Sequence, residues 1–101
     1  MTQKLGEFSK PNYTQVPDSF FDKLLPTLSE GELRVLLYIF RRTFGFQKGG
    51  DHISLNQFMI GIKRRDGTQL DHGCGLKSRI HVVEALAKLQ AKGHIIVSKT
   101  K

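Results

Sequence analysis

The stretch of sequence that decides the fold runs over residues 75–93 and reads GLKSRIHVVEALAKLQAKG. Its apolar residues Val82, Leu86 and Leu89 recur at the spacing of one helix face. Residues 75–93 are therefore predicted to form an amphipathic helix that packs one side against a core.

Both ends of this helix are marked in the sequence. Ser78 is placed to cap the first turn, and Gly93 suits the left-handed residue that closes a helix. Lys77, Arg79 and His81 surround the cap, so backbone amides and positive charges would point the same way, as an anion such as a DNA phosphate requires. We interpret the segment as a recognition helix; an ordinary surface helix with a basic start is the alternative.

A second, more apolar helix is predicted upstream. Ser29 and Glu32 form a capping box at its start. Arg41 and Arg42 near its end suit the helix dipole and are expected on a solvated face rather than at a ligand. Apolar side chains surround most of this central helix: Leu33, Val35, Leu36, Leu37, Tyr38, Ile39, Phe40 and Phe44.

The N-terminal residues lack any periodicity. Residues 1–17 are polar and contain two prolines, which predicts an extended arm anchored by Tyr13 and Val16. Asp18 is expected to cap a short helix that Pro26 ends.

Between the central helix and the recognition helix, residues 51–53 are predicted to form a short strand. Ser54 and Gln57 make a weaker capping box for a helix of about two turns that ends at Gly61 or Ile62. This helix would be the first of a helix-turn-helix pair.

The connection between the two helices of this pair is longer than a plain helix-turn-helix turn. Asp66-Gly67 is a strong turn signal, which predicts a small hairpin with Lys63, Arg64 and Arg65 at its base. These adjacent cations could hold phosphate, although a solvated charge run is the alternative.

After the recognition helix, residues 94–101 are rich in β-branched side chains and are predicted to form a strand that pairs with Ile53. Lys99 and Lys101 on this strand are candidate phosphate contacts. The chain is expected to stop inside this wing, as a fragment of a longer protein would.

Composition indicates one small domain. The 101 residues carry a net charge of +7, and residues 51–101 hold nine Lys and Arg against four acids. A polyanionic partner is therefore favoured, with the second half as the binding surface. A single cysteine, no long apolar run and no signal peptide predict a reducing, cytoplasmic setting away from membranes.

Enzyme and metal chemistry are not favoured. His72, Cys74 and His81 do not have the spacing of a four-ligand zinc site. Asp66 and Asp71 suit turn and cap roles better than acid–base catalysis. We therefore expect no cofactor and no enzymatic activity.

The order of predicted helices and strands is that of a winged helix. The amino-acid sequence of particular stretches points to one family more specifically than this order does. Three stretches resemble the N-terminal domain of the phage replication protein O family: LRVLLYIFRRTFGF (33–46), DHISLNQF (51–58) and GLKS…VVEALAKLQAKGHIIV. The similarity spans residues 10–97. It implies a mainly α fold with a small β-sheet, in which residues 18–101 form the winged helix-turn-helix domain and the wing is truncated at the C-terminus.

In lambdoid phages that domain binds repeats in double-stranded DNA at the replication origin, while a separate C-terminal region recruits the replicative helicase or its loader. The resemblance implies that the family's two contact regions are the recognition-helix start, in the major groove, and the preceding helix start, near the phosphates. In this chain these are Lys77, Ser78, Arg79 and His81 for the first region and Ser54, Asn56 and Gln57 for the second.

Two features depart from the family pattern: the 63–73 insert is longer than in lambda-like members, and Lys77 stands where a small capping residue is more usual. Arg79 is the best candidate for a base contact, because its planar fork pairs with guanine at two atoms. Two other functions stay open. One is a winged-helix transcription regulator, and the other is a protein-interaction module that uses an exposed strand at residues 95–97.

Overall fold

The computed structural model describes residues 1–3 and 13–97, which are mainly helical. In chain order the α-helices and strands are α1 (Glu30–Thr43), α2 (Leu55–Ile60), β1 (Ile62–Lys63), β2 (Gln69–Asp71) and α3 (Arg79–Ala91). Shorter helical turns cover Phe20–Leu24, Leu25–Thr27 and Phe44–Phe46. The described residues therefore combine a helical body with one small antiparallel sheet between α2 and α3.

The core forms where α1 and α2 pack against α3. Apolar side chains at helical spacing supply it because each helix buries one face. The prediction that α1 is central is confirmed, although Leu37 and Phe44 are exposed. The buried apolar side chains are Phe20, Val35, Leu36, Tyr38, Phe58, Cys74, Val82, Ala85 and Leu89.

Helix α3 ends as predicted. Gly93 has a φ of 80°, and its amide donates to the Gln90 carbonyl oxygen, while the His94 amide donates to the Leu89 carbonyl oxygen. This pair of bonds satisfies the last carbonyls of the helix and favours glycine, because a Cβ strains the left-handed conformation.

The predicted side-chain cap at the start of α3 is wrong in part. Ser78 occupies the N-cap position with extended backbone, and its carbonyl oxygen accepts from the Val82 amide at 3.2 Å. Its hydroxyl makes no capping hydrogen bond. The extended backbone, rather than the side chain, therefore begins this helix.

The capping box at α1 forms in a modified way. The Ser29 hydroxyl accepts from the Glu32 amide at 3.3 Å, as predicted. The Glu32 carboxylate accepts from that same hydroxyl at 2.9 Å and pairs with the Lys92 ammonium at 2.6 Å. The hydrogen bond from Lys92 lowers the pKa of the Glu32 carboxyl. A single buried carboxylate thus ties the start of α1 to the end of α3.

Two predicted strands do not form. Residues 51–53 and residues 95–97 have no strand pairing, and the rest of the second predicted strand, residues 98–101, lies outside the described residues. Ile53 and Ile95 are half-buried against the core instead. The packing of these two side chains needs no strand pairing, whereas Ile96 and Val97 are exposed. The expected wing after α3 is therefore absent from the described part of the chain.

The predicted hairpin forms, but Arg64 and Arg65 lie in and beside its turn rather than at its base. The Arg64 amide donates to the Thr68 carbonyl oxygen at 2.7 Å, and the Asp66 carboxylate accepts from the Thr68 amide at 2.8 Å. At the stem, Gly61 has a φ of 80°, and a Cβ there would overlap the backbone of Asp71. The close approach of the two chain segments at this point requires glycine.

The N-terminal predictions hold only in part. Val16 packs against the core, but Tyr13 is exposed and anchors nothing. The helical segment does not stop at Pro26, because Pro26 fits the start of the 3₁₀ turn over Leu25–Thr27, where a missing amide costs no helical bond. Residues 4–12 of the predicted arm lie outside the described residues.

Candidate nucleic-acid interface

A group of polar side chains fixes the hairpin on α1. The Tyr38 hydroxyl donates to the Asp71 carboxylate at 2.9 Å, and the Gly73 amide donates to the same oxygen at 3.0 Å. The Arg42 guanidinium lies 3.6 Å from the other oxygen of Asp71. Because β2 ends at Asp71, these contacts hold the sheet in place on the central helix.

The same arginine reaches a second carboxylate. Arg42 lies 4.0 Å from Asp51, which also pairs with Lys48 at 3.5 Å, and its guanidinium lies over the Phe46 ring at 4.6 Å. The Arg42 side chain is only 14% exposed, so the prediction that it lies on a solvated face is wrong. Arg42 can be largely buried because the carboxylates of Asp51 and Asp71 compensate the cost of removing its guanidinium from water. We call Tyr38, Arg42, Lys48, Asp51 and Asp71 the ion-pair cluster.

Burial within this cluster raises the pKa of Tyr38 to about 12, and the hydrogen bond to Asp71 adds to this effect. Tyr38 is therefore a neutral hydrogen-bond donor over the physiological range. Asp66 and Asp71 both accept backbone amides in turns, as their predicted roles require. The contacts of Asp71 with α1 were not predicted, since they join residues far apart in sequence.

The hairpin presents three cations to solvent. Lys63, Arg64 and Arg65 are exposed, and within residues 13–97 none of them forms an ion pair. Asp66 in the same turn binds the Thr68 amide rather than these side chains. The positive charge of the turn is therefore available to an outside anion.

The start of α3 adds two more exposed cations. Lys77 and Arg79 likewise form no ion pair in the described part of the chain. Ser78 between them is half-buried and leaves the first amides of α3 without a side-chain cap. We call the five cations of the hairpin and of this helix start the basic surface: Lys63, Arg64, Arg65, Lys77 and Arg79.

His81 lies apart from Arg79. The two residues are separated by two positions, so they leave the helix on different sides. His81 lines a shallow depression between α1 and α3, together with Glu30, Glu84 and Lys88. The structure therefore does not bring these two predicted base-contacting side chains onto one face.

The outer face of α3 carries apolar side chains that sequence reasoning missed. Ile80 is 67% exposed and Val83 is 46% exposed. Ile80 lies opposite the buried Val82 and Leu89, and Val83 lies between Ile80 and the buried face. The signal was present in the spacing, because residues at i and i+3 on the far side of a helix share a face.

The start of α2 is ordered mainly by its own cap. The Ser54 hydroxyl accepts from the Gln57 amide at 3.1 Å, as the predicted capping box requires. Ser54 and Asn56 are exposed, whereas Gln57 is half-buried. Asn56 is thus the most accessible of these three candidate phosphate contacts, and Lys99 and Lys101 lie outside the described residues.

Neither a metal site nor a membrane-spanning helix is found among the residues that the structure describes. No three His, Cys, Asp or Glu side chains converge as ligands of a metal ion. No helix there combines the length and apolar character needed to cross a bilayer.

Comparison with known proteins gave no match to this chain among protein-family models, curated proteins or solved structures.

Proposed function

We propose that this chain is a winged-helix-like domain that binds double-stranded DNA in a sequence-specific manner and acts in replication initiation by a phage or prophage. The observation that carries the proposal is the basic surface: five exposed cations on the hairpin and at the start of α3, without acidic partners among the described residues. A duplex supplies the phosphates that such a surface lacks.

The arrangement of helices supports this geometry. Helix α2 packs on α3, and the hairpin replaces the short turn of a plain helix-turn-helix. In the proposed complex α3 enters the major groove, and the hairpin and Lys77 contact the backbone. Arg79 reads a base edge, with guanine as the preferred partner.

The replication role rests on the resemblance of residues 33–46 and 51–58 to the phage replication protein O family. On this proposal the chain binds repeats at an origin in the cytoplasm of a bacterial host, and a region beyond this chain recruits the replicative helicase or its loader. The domain itself performs no catalysis.

Selection of bound duplexes from a random pool tests the proposal. We expect one enriched motif, whose affinity falls as the salt concentration rises. In a plot of log binding constant against log salt concentration, each phosphate contact should contribute about −0.9 to the slope. Failure to retard any duplex at low salt would contradict DNA binding. Repeats of the motif in or near the parent gene would support replication, whereas single copies beside promoters would favour a transcription regulator.

A second candidate function is favoured by one observation. Residues 95–97 have no strand partner among the residues that the structure describes, and Ile96 is almost fully exposed. Such a segment could add to the sheet edge of another protein. Binding to a protein partner that does not change with salt, in the absence of any DNA retardation, would support this interaction module instead.

A further inference from the structure

We propose that Ile80 and Val83 read thymine by contacting its 5-methyl group in the major groove. The inference rests on the proposed DNA-binding function and adds to it a chemical preference of the site. It concerns the outward face of α3 rather than the basic surface.

The core defines which face of α3 is outward. Val82, Ala85 and Leu89 are buried against α1 and α2. A helix with 3.6 residues per turn places Ile80 and Val83 on the other half of its circumference. Their exposed fractions of 67% and 46% agree with that placement.

Two exposed β-branched residues on successive turns are an unusual choice for a helix surface. Isoleucine and valine are weaker helix formers than lysine, glutamate or alanine, and exposure leaves their apolar area in water. Single exposed apolar residues need no explanation, but here two share a face beside Arg79. A surface designed only to hold phosphates would carry cations or small polar groups at these positions.

The charges around this face favour a nucleic acid as its occupant. Lys77 and Arg79 lie at the start of the same helix and are exposed without ion pairs in the described part of the chain. The thymine methyl is the apolar group that a base pair presents in the major groove. Glu84, four residues after Ile80, adds one carboxylate near this face, and the two cations outnumber it.

The distance between the Ile80 and Val83 side chains limits how far apart the two contacted thymines can lie. Residues at i and i+3 have Cβ atoms about 5–6 Å apart, and successive base pairs rise by about 3.4 Å along one strand. Ile80 and Val83 therefore reach thymines that lie one or two base pairs apart. The bound motif should contain such a pair of thymines.

The test uses the duplex that emerges from selection and replaces one thymine at a time by uracil, which removes only the methyl group. We expect binding to weaken about fourfold at each contacted position, the factor that corresponds to burying one methyl-sized group. In Ile80→Ala, replacing thymine by uracil should no longer weaken binding at one of the two contacted positions and should still weaken it at the other. Val83→Ala should show the reverse pattern. Ile60→Ala is the matched control, because Ile60 lies on α2 and is 65% exposed.

Each outcome separates the two proposals. The inference is supported if uracil substitution weakens binding by the wild-type protein and has no effect at the same position in Ile80→Ala or Val83→Ala. Sequence-specific binding that tolerates uracil at every position overturns it and leaves the DNA-binding function standing, whereas the absence of any bound duplex overturns both. Concentration-dependent dimers in sedimentation that Ile80→Ala dissolves, without loss of DNA affinity, would assign this face to a second copy of the chain and also overturn it.

Discussion

Arg42 and Arg64 carry the same guanidinium group in very different surroundings. Arg42 lies between Asp51 and Asp71 and is 14% exposed, whereas Arg64 is exposed in the hairpin turn and forms no ion pair among the described residues. The first arginine is committed to holding the hairpin on α1, and the second can neutralise an external anion. Net charge alone does not distinguish these two surroundings, because a paired and an unpaired arginine count equally in the sum.

The largest expected effect breaks the ion-pair cluster. Asp71→Ala removes the acceptor of Tyr38 and leaves Arg42 with a weaker partner, so we expect a loss of about 2–3 kcal/mol in the free energy of unfolding. Urea denaturation measures it. Asp66→Ala is the control, because Asp66 is an exposed turn carboxylate. A loss in Asp71→Ala no larger than that in Asp66→Ala would contradict the predicted contribution of the cluster.

A smaller effect is expected at the proposed base contact. Arg79→Ala should lower affinity for the selected motif by about 1–3 kcal/mol and relax sequence preference, because one bidentate contact is lost. Fluorescence anisotropy with cognate and random duplexes measures both. Lys77→Ala should weaken both duplexes alike, since a phosphate contact carries no sequence information. Equal loss on both duplexes for Arg79→Ala would remove it from base reading.

The pairing of Glu32 predicts acid sensitivity. The bonds from Lys92 hold the pKa of Glu32 below its ordinary value of 4.5, so the stabilisation is present above that pH and is lost as the pH falls. Glu32→Gln should cost about 1.5–2 kcal/mol at pH 7 and progressively less in acid.

Thermal unfolding of both proteins between pH 7 and pH 3 measures this difference. Glu30→Gln is the control, because Glu30 forms an exposed pair with Arg34 that contributes about 0.3–0.5 kcal/mol. A difference between wild type and Glu32→Gln that does not change with pH would contradict the predicted role of the charge.

The smallest effect concerns single cations of the hairpin. Arg64→Ala should reduce the log–log salt slope of DNA binding by about one unit without changing stability. Lys48→Ala is a comparison from the ion-pair cluster, and it should leave the slope unchanged because its charge is paired with Asp51. An unchanged slope in Arg64→Ala would place the hairpin away from the duplex.

Features set by neighbouring residues were predictable from the sequence. The Ser29 cap, the turn at Asp66-Gly67 and the close of α3 at Gly93 all depend on a few adjacent positions, and all three form. The absence of strands at residues 51–53 and 95–97 was not predictable from the sequence. An isoleucine or valine favours a strand only when another strand is within reach, and local sequence does not show whether one is. Ile53 and Ile95 pack on the core instead, and Ile96 is exposed.

The candidate site was predictable in composition but only partly in geometry. Lys63, Arg64, Arg65, Lys77 and Arg79 were identified from their positions beside a predicted turn and a predicted helix cap, and all five are exposed. The partners of Arg42 lie far along the chain, so local charge patterns gave no sign of them. The division of Arg79 and His81 between two sides of α3 follows from helix geometry, which the family pattern did not convey.

The two ends of the hairpin differ in how much change they tolerate. Gly61 at the stem is pressed against the backbone of Asp71, whereas no atom lies within 4 Å of a Cβ placed on Gly67 at the tip. A longer tip would therefore extend into open space, as long as the turn keeps a glycine at the φ of 92° found at Gly67. On the proposed DNA-binding function, a longer basic tip at this point would add phosphate contacts without disturbing the stem.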